Sequence, residues 1–577
     1  MVHCCSAISA LPELNAQVAA YRDFLRFDPD TGEMDPSFDA RAYAASKTDP
    51  DTMRYHEAML SPDCDGFRDA MQVEIKALER IGTWNIVQRH PSQNVLPGTW
   101  AFKRKRFPDG RVNKLKARFC VRGDKQVEGV DYFESYAPVV QWSTVRVILI
   151  ATMMFGLQSR HVDFNNAFSQ ATLTEEVYVE LPRGYDSEGD DCVLKLNKSL
   201  YGLVQAPKAF YDHMRSGLEA RGFRVSENDP CLFIHEDMLA ISWVDDIVIV
   251  SRDASKIESM IQNLKDDGYD LDSEGEISAF LGIQIDQNST NDTFTLTQEG
   301  LTQKILDYTG LKDCNSNKTP ASTTTLGSDT DGARWVDADE SFEYAAAVGM
   351  LMYLANNTRP DIAFAVHQCA RFTHAPRQSH VKALKMIVRY LQGTKDKGLI
   401  FKPTKELAVD MYCDSDFLGL WKTEDDQDPI CVKSRTGYVL ELEGCPLSWT
   451  SKLQTEIALS TMEAEYVSLS QGMRELIPVR RLVKEVALNL DPKSVTSCRT
   501  YSKVFEDNNG ALKMAQCPRL TLRNRHIAVK YHWFRSYVAN GDVEVLKVES
   551  ENQKADCFTK GLGHELFVRI RKLIMGW

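Results

Sequence analysis

The feature that most constrains this chain is a pair of adjacent aspartates, Asp245 and Asp246, enclosed by two apolar runs in the segment SWVDDIVIVS. The β-branched and aromatic residues on both sides favour extended strands, so the pair is predicted to lie at a tight β-hairpin. Two aspartates in a hairpin are by default a solvated turn. The pair alone therefore does not specify chemistry.

A third aspartate in a similar setting favours a catalytic interpretation. Asp163 ends a short strand in RHVDFNNAFSQATL and precedes a helix-like turn. Aspartates from two strand ends that meet at one sheet edge can hold two divalent cations, which activate a 3′ hydroxyl and stabilise the departing pyrophosphate. Such oxygen ligands suit Mg²⁺. The stretch 103–125 carries ten Lys and Arg against two Asp, and this basic run is suited to neutralising a triphosphate.

Four acidic residues further along the chain form a second pattern. They are Asp414 in LAVDMYCDSD, Glu465 in a helical stretch over 461–488, Asp507 in TYSKVFED and Asp556 in ENQKADCFTK. Helical spacing places Glu465 on one face with Leu469, Met473 and Leu476, whereas Glu463 lines up with another face. A carboxylate on a core-facing stripe is costly unless it is paired or bound to metal. The four residues therefore predict a second two-metal phosphodiester site, with water as the nucleophile.

Length and composition bound the class of protein. A chain of 577 residues predicts about four compact units. Its 43% hydrophobic and 26% charged residues are those of a folded protein and exclude a disordered or fibrous one. The net charge of −13 argues against non-specific coating of nucleic acid. No apolar window approaches the length of a membrane span, no secretory signal is evident, and the cysteines show no zinc spacing, so an intracellular soluble protein is expected.

Periodicity indicates the organisation of the chain. Met71, Ile75, Leu78 and Ile81 recur at helical spacing and predict a packed amphipathic helix. Residues 96–250 suggest a mixed α+β domain, and a strand pair is expected near FLGIQI and TFTLTQ. The polar stretch 315–332 is the best linker candidate, and strands with interleaved helices beyond 406 indicate a second α/β unit.

Four ordered blocks resemble the reverse transcriptase of copia-type LTR retrotransposons. They are KLKARFCVRGDKQVEGVDYFESYAPVV, VDFNNAFSQATL, SLYGLVQAPKAFY and WVDDIVIV. The resemblance implies that Asp163, Asp245 and Asp246 are the catalytic, metal-binding carboxylates. It also implies that Phe168 crowds the sugar 2′ position, and that Gly202 and Gln205 lie in the motif that packs on the incoming nucleotide and template.

Lys116 and Arg118 are chosen as the contacts to the triphosphate. The alternative for these two residues is a solvated basic hairpin. Trp243 replaces the Tyr that this family usually has before V-D-D, which bears on the seating of the primer end.

The blocks after residue 406 resemble the ribonuclease H domain of the same family. They include YCDSDF, ALSTMEAEY, EDNNGAL, RHIAVKYHWFR and ADCFTK, and they imply catalytic and metal-binding roles for Asp414, Glu465, Asp507 and Asp556. Asp414 is preferred to Asp416 by motif position only, since strand alternation puts both on one face. His526 and His532 are read as structural or RNA-contacting.

The predicted fold is α+β and α/β multidomain: a right-hand polymerase of fingers, palm and thumb, a helical connecting region and a ribonuclease H-like α/β domain. The expected boundaries are an N-terminal segment of unknown role (1–64), fingers and palm (65–251), a thumb-like region with the polar linker (252–335), the connecting region (336–405) and the ribonuclease H-like domain (406–577).

The expected function is RNA- and DNA-templated DNA polymerisation with ribonuclease H activity. Mg²⁺, two ions per active site, with Mn²⁺ as a substitute, is the expected cofactor. The partners are an RNA template, a DNA primer, the RNA/DNA hybrid and dNTPs, with no membrane, in a Pol polyprotein or virus-like particle of the cytoplasm or nucleus. Two alternatives stay open: a decayed or co-opted copy that binds nucleic acid without turnover, and a nuclease whose polymerase half is inactive.

Overall fold

A computed structural model describes most of the chain after residue 50. The described residues are 51–106, 111–185, 191–288, 293–336, 342–404, 407–421, 429–492, 501–517, 527 and 529–577. Residues 1–50 of the predicted N-terminal segment and His526 lie outside them. A membrane-spanning helix is absent from the described ranges, because none of their helices combines sufficient length with sufficient apolar character.

The chain divides into two compact units. Unit 1 comprises residues up to 140, 159–226 and 230–276, and unit 2 comprises 141–158, 227–229 and 277–577.

Unit 1 contains thirteen of the strands in the described residues. They are β1 (Thr52–Arg54), β2 (Trp84–Gln88), β3 (Val95–Leu96), β4 (Gly98–Arg106), β5 (Val112–Val121), β6 (Gln158–Phe164), β7 (Tyr178–Glu180), β8 (Cys192–Leu196), β9 (Arg224–Val225), β10 (Leu232–Ile234), β11 (Met238–Trp243), β12 (Asp246–Ser251) and β13 (Leu271–Gly275). Its helices are α1 (Tyr55–Leu60), α2 (Cys64–Arg80), α4 (Ala206–Glu219) and α5 (Ala254–Asp266), while α3 (Trp142–Phe155) belongs to unit 2.

A six-stranded sheet with the order β13-β6-β12-β11-β10-β9 forms the larger part of unit 1. The predicted hairpin is present: β11 and β12 pair antiparallel from Trp243 opposite Asp246 to Met238 opposite Ser251. Helices α4 and α5 pack against this sheet and contribute Phe210 and Ile257 to its core. The apolar flanks of the aspartate pair are buried strands because side chains on both faces of the sheet are covered.

Two smaller sheets, with the orders β1-β4-β5 and β2-β8-β7-β3, complete unit 1. The amphipathic helix predicted from the sequence is α2, whose residues Met71, Ile75 and Leu78 are buried in the adjoining core. Ile81 falls one residue beyond the helix and is half-buried. The long strands β4 and β5 carry the basic run, and they pair in register with Lys103 opposite Lys116.

Unit 2 contains the remaining described elements. They are β14 (Ala279–Phe280), β15 (Ile283–Asn288), β16 (Thr293–Thr297), α6 (Glu299–Tyr308), α7 (Tyr344–Asn357), α8 (Ala363–Ala370), α9 (Gln378–Gln392), β17 (Leu399–Phe401), β18 (Val409–Asp416), β19 (Arg435–Leu442), β20 (Cys445–Leu453), α10 (Thr461–Leu490), β21 (Ser502–Glu506), α11 (Asn509–Gln516), α12 (Arg535–Ala539), β22 (Val543–Lys547), α13 (Asp556–Thr559) and α14 (His564–Met575). The predicted strand pair is β15 with β16, in the sheet β14-β15-β16-β17.

A five-stranded sheet with the order β20-β19-β18-β21-β22 carries the long helix α10. Strands β18, β19 and β20 are antiparallel neighbours, while β21 runs parallel to β18 and to β22. Helix α10 approaches the sheet closely at Gly472, where an added Cβ would lie 2.5 Å from the Met411 sulfur. The predicted core-facing residues Leu469, Met473 and Leu476 are fully buried.

Glu463 is also buried, although helical spacing places it on another face than Glu465. The cause is the start of α10. Ser460 accepts a hydrogen bond from the Glu463 N–H, and the Glu463 carboxylate accepts one from the Leu459 N–H. Ser460 therefore caps the helix, and the Glu463 side chain is held against the residue that precedes the cap.

The two units divide the chain at other positions than the expected domain boundaries, which stay a prediction. Helix α3, within the expected 65–251 domain, belongs to unit 2, where Arg146 is buried and donates hydrogen bonds to the carbonyl oxygens of Leu447, Asn356 and Asn357. The expected thumb-like region 252–335 is shared, because α5 and β13 belong to unit 1 and the residues from 277 onward to unit 2. A buried arginine and strand pairings between distant residues determine to which unit these elements belong. Neither can be recognised from the sequence around the element.

The polar stretch 315–332, the linker candidate, is held against α8 and α9 by hydrogen bonds. The Asn317 N–H donates to the Arg389 carbonyl, and Arg371 donates to the Leu326 carbonyl. The His380 ring lies 2.9 Å from the Gly327 oxygen. Polar composition favours a linker, but the backbone carbonyls of such a stretch also accept hydrogen bonds from helix side chains.

Candidate active sites

The first candidate site, the aspartate site, consists of Asp163, Asp245 and Asp246 in unit 1. Strand β6 lies between β13 and β12 in the large sheet, so Asp163 stands beside the hairpin turn. The Phe164 N–H donates to the Asp245 carbonyl at 2.9 Å and joins strand and turn. Val244, in that turn, has a φ of +53°, which is uncommon for a β-branched residue and typical of strained functional turns.

The pKa values in the aspartate site show how strongly its negative charges interact. Burial, followed by the charges of Asp246 and Asp163, raises the pKa of Asp245 to about 7. Burial, followed by Asp246 and Glu274, raises the pKa of Asp163. Mutual repulsion of this kind is relieved by cations, and the donors are the carboxylate oxygens that Mg²⁺ prefers. The donor chemistry of these residues suits divalent cations, but their oxygens do not meet within the 4.8 Å found in the second candidate site.

His161 is a site residue that the sequence reading missed. Its ring nitrogens lie 3.1 Å from Asp246 Oδ1 and 2.8 Å from Glu274 Oε2. Burial opposes a charge on the ring, but these two carboxylates outweigh it and raise the pKa of His161. The available signal was its position two residues before Asp163, which puts both side chains on one face of the strand.

Two predicted basic residues interact with the aspartate site. The positive charge of Lys116 lowers the pKa of Asp163, and that of Arg118 lowers the pKa of Asp245, in each case against the larger effect of burial. Burial and the neighbouring Arg118 lower the pKa of Lys116 to about 8. Both side chains are half-buried on β5 and not fully solvated.

An aromatic contact links the basic strand to Phe168. The Arg118 guanidinium lies 4.7 Å from the ring centroid of Tyr201, and the Phe168 ring meets the same Tyr201 edge-on at 5.0 Å. Phe168 belongs to the short helical turn Ala167–Gln170 after β6, and it is half-buried. The Phe168 ring also meets Phe210 edge-on at 6.3 Å, so two aromatic contacts hold it next to the strand that carries Asp163.

Gly202 and Gln205 make contacts within the protein. Gly202 has a φ of +92°, and a Cβ there would lie 2.1 Å from the Val121 oxygen. Gln205 is buried; it donates to the Asp131 carbonyl and accepts from the Gln126 side chain. In this structure Gly202 lies against β5, Gln205 joins the turn to the segment 126–131, and any nucleotide contact would be additional.

The second candidate site, the acidic cluster, consists of Asp414, Glu465 and Asp507 in unit 2. One carboxylate oxygen of each residue lies within 4.8 Å of those of the other two. They come from the end region of β18, the first turns of α10 and the residue after β21. Glu465 is 7% exposed, and its Oε2 has no hydrogen-bond partner among the described residues. A buried, unpartnered carboxylate oxygen aimed at two other carboxylates fits a divalent cation.

The acidic cluster is held by contacts between helix and sheet. The Ser468 hydroxyl donates to the Asp414 carbonyl at 2.7 Å and joins α10 to β18. Burial, then the charge of Asp556, raises the pKa of Asp414 well above its usual range. Burial and Asp414 do the same for the pKa of Glu465. Asp416, the alternative to Asp414, lies at the end of β18 opposite Arg435 and is not part of the cluster.

Glu506 is a further acidic residue that the sequence reading missed. It is fully buried beside Asp507 and accepts hydrogen bonds from the Asn508 N–H and the Cys413 thiol. Burial raises its pKa well above the usual range, and the charges of Asp414 and Asp507 add to the effect. Its alternating position on β21 turns it inward, a signal that the adjacent Asp507 obscured.

Asp556, the fourth predicted carboxylate, has a cationic partner. Lys560 Nζ lies 2.8 Å from Asp556 Oδ1 and 3.9 Å from Asp414 Oδ2. The Thr559 hydroxyl donates to Asp414 Oδ2. The structure thus brings Asp556 beside Asp414, and the Lys560 ammonium pairs with both carboxylates, more closely with Asp556.

His532 is placed for a structural role. Its Nδ1 lies 2.9 Å from the Tyr466 hydroxyl on α10, and burial lowers its pKa.

Comparison with known proteins finds a matching family and relatives that are similar over most of this chain. Residues 81–323 match the family of reverse transcriptases (RNA-dependent DNA polymerases). The chain is 33% identical, over 92% of its length, to the retrovirus-related Pol polyprotein from transposon RE1 of Arabidopsis thaliana. It is 31% identical, over 93% of its length, to the one from transposon TNT 1-94 of Nicotiana tabacum. It spans 35% and 40% of the length of these relatives.

Among solved structures, the foamy viral protease-reverse transcriptase in complex with dsDNA aligns with 92% of this chain and 97% of that one. The TM-score is 0.44 and the identity 13%.

Proposed function

This chain belongs with the copia-type Pol polyproteins of retrotransposons and contains a reverse transcriptase domain; from this premise we propose that unit 1 polymerises DNA on RNA and DNA templates. We further propose that unit 2 cleaves the RNA strand of RNA/DNA hybrids. The observation that carries the proposal is that Asp163 lies beside the 245/246 turn at one sheet edge. The positive charges of Lys116 and Arg118 act on the pKa values of these aspartates.

In unit 1, Asp163, Asp245 and Asp246 would hold divalent cations. When bound, such cations lower the pKa of a 3′ hydroxyl and neutralise the pyrophosphate that leaves. Lys116 and Arg118 donate hydrogen bonds to the triphosphate, and Arg118 does so from a position fixed against the Tyr201 ring.

Phe168 has a proposed part in the choice of nucleotide. Because its ring is fixed against Tyr201 next to the aspartate strand, it would crowd a ribose 2′ hydroxyl and so favour dNTPs.

In unit 2, Asp414, Glu465 and Asp507 would hold divalent cation. The carboxylates accept hydrogen bonds from the attacking water, and a bound cation would neutralise the scissile phosphate; the buried position of Glu465 keeps the carboxylate geometry fixed. Hybrid recognition through phosphates and shape requires little sequence information. The expected substrates are therefore a primed RNA or DNA template with dNTPs for unit 1, and an RNA/DNA hybrid for unit 2.

Primer extension on poly(rA)/oligo(dT) with Mg²⁺ tests the polymerase. The full chain is expected to extend the primer, and Asp163→Asn and Asp245→Asn are each expected to abolish extension. The matched control is Asp266→Asn, on the exposed face of α5. A folded wild-type chain that binds the primed template but extends nothing would instead support the decayed or co-opted copy.

Cleavage of a labelled RNA/DNA hybrid tests unit 2. Glu465→Gln is expected to abolish cleavage and to leave primer extension intact, while Glu544→Gln, at an exposed position on β22, changes neither. Cleavage that survives in Glu465→Gln would refute the assignment of the acidic cluster. A chain that cleaves the hybrid but never extends a primer would favour the nuclease alone.

A further inference from the structure

The sequence predicts that four carboxylates bind cations in unit 2, but the structure gathers only three of them around one point and leaves the fourth, Asp556, beside them. Asp414, Glu465 and Asp507 share a common point within 4.8 Å. Asp556 is 4% exposed and stands beside Asp414, but its carboxylate is paired with the Lys560 ammonium at 2.8 Å. Asp556 differs from the other three in charge balance, because the Lys560 ammonium already neutralises its carboxylate.

The position of Lys560 follows from its local structure. It comes four residues after Asp556, immediately beyond the short helix α13, so the two side chains lie on the same side of one helical turn. Its ammonium also lies 3.9 Å from Asp414 Oδ2, which accepts a hydrogen bond from the buried Thr559 hydroxyl. The Lys560 side chain is 46% exposed, so it reaches the two buried carboxylates from the solvent.

We propose that Lys560 supplies, as a fixed ammonium, the positive charge that a second divalent cation would supply between Asp414 and Asp556. The acidic cluster then binds one cation strongly, at Asp414, Glu465 and Asp507. A second cation at Asp556 would be repelled by an ammonium already in contact with that carboxylate. This inference rests on the proposed nuclease function of the cluster, and it names Lys560 as a positioning residue for that site.

Counting bound Mn²⁺ tests the inference without any turnover. The full chain carries Asp245→Asn and Asp246→Asn, so that the unit 1 site does not contribute, and Mn²⁺ alone is titrated by calorimetry and by electron paramagnetic resonance. This parent chain is expected to bind one Mn²⁺. Lys560→Met is expected to bind two, the second at Mn²⁺ concentrations at least tenfold below those at which the parent still binds only one. Lys560→Arg, which keeps the charge, is expected to bind one.

The control is Lys484→Met, an exposed position far along α10, which is expected to leave the count at one. A parent that binds two ions of similar affinity would overturn the inference, as would a Lys560→Met chain that binds one ion or none. Because Lys560 is partly exposed, folding of the variant is checked by its far-ultraviolet circular dichroism.

Hybrid cleavage distinguishes this inference from the function on which it rests. A parent chain with Asp245→Asn and Asp246→Asn that binds one Mn²⁺ but cleaves no hybrid refutes the nuclease function and leaves the role of Lys560 intact. A chain that cleaves the hybrid while binding two ions in the cluster refutes the role of Lys560 and leaves the nuclease function intact.

Discussion

Replacing Glu465 with Gln should stabilise unit 2 when no cation is present. In the cation-free protein three carboxylates meet within 4.8 Å, and the buried Glu506 stands beside them. Two unit charges 4.8 Å apart repel by about 3.5 kcal/mol at an effective dielectric constant of 20. The raised pKa values of Asp414 and Glu465 show that part of this repulsion is avoided by proton uptake. The remaining gain from removing one charge in an isosteric side chain is about 1–2 kcal/mol.

The assay is thermal unfolding of wild type and Glu465→Gln in EDTA and in rising Mg²⁺. A gain of about 1–2 kcal/mol corresponds to a Tm higher by about 2–4 °C in EDTA for a unit of this size. Mg²⁺ should raise the Tm of wild type by mass action and the Tm of the variant much less, since a ligand is lost. Glu544→Gln is the control and should behave as wild type. The reasoning is refuted if Glu465→Gln lowers the Tm in EDTA, or if Mg²⁺ stabilises the variant as much as wild type.

Three further predictions concern other positions. The folded-state pKa of Asp245, about 7, lies above its unfolded value, so its contribution to the free energy of unfolding is complete below about pH 4 and is lost as the pH rises through about 7. Asp245→Asn should therefore weaken the pH dependence of the free energy of unfolding of the cation-free protein over this range. Urea titrations at several pH values that give the variant the same pH dependence as wild type would contradict this. Gly202→Ala should destabilise unit 1 by about 2–3 kcal/mol in the same titrations, because Gly202 has a positive φ and lies against Val121. The control is Gly300→Ala in α6, where a Cβ meets no atom within 4 Å, and this variant should be neutral or stabilising. Arg146→Met should cost unit 2 about 3 kcal/mol or more, since three carbonyls lose a buried donor, and an unchanged Tm would argue against this anchor of α3.

Sequence reasoning reached the parts of this protein that local patterns encode. Strand propensity on both sides of the aspartate pair predicted the β11–β12 hairpin, and helical spacing predicted the buried faces of α2 and α10. The ordered motifs predicted the family, which the comparisons confirm. The fold class was reached only as a mixture of helix and sheet. The roles of the individual site residues stay predictions until the variants are measured.

Tertiary structure decided everything that depends on residues distant in the chain. Periodicity could not separate Asp414 from Asp416; the packing of α10 on β18 does, because it places Glu465 beside the former. His161 stands outside the motifs that carry the family resemblance, and Lys560 ends the motif ADCFTK without an assigned role. Folding brings the distant Asp246 within 3.1 Å of the His161 ring and the distant Asp414 within 3.9 Å of the Lys560 ammonium.

The polar stretch 315–332 is another example. Its polar composition indicates contact with water, but it does not reveal which helices will form hydrogen bonds with its backbone. By itself the sequence determined which side chains face inward and which motifs the chain carries, because helix and strand periodicities are local. Which charges neutralise one another is decided by three-dimensional proximity, since electrostatic interaction depends on distance in space and not on separation along the chain.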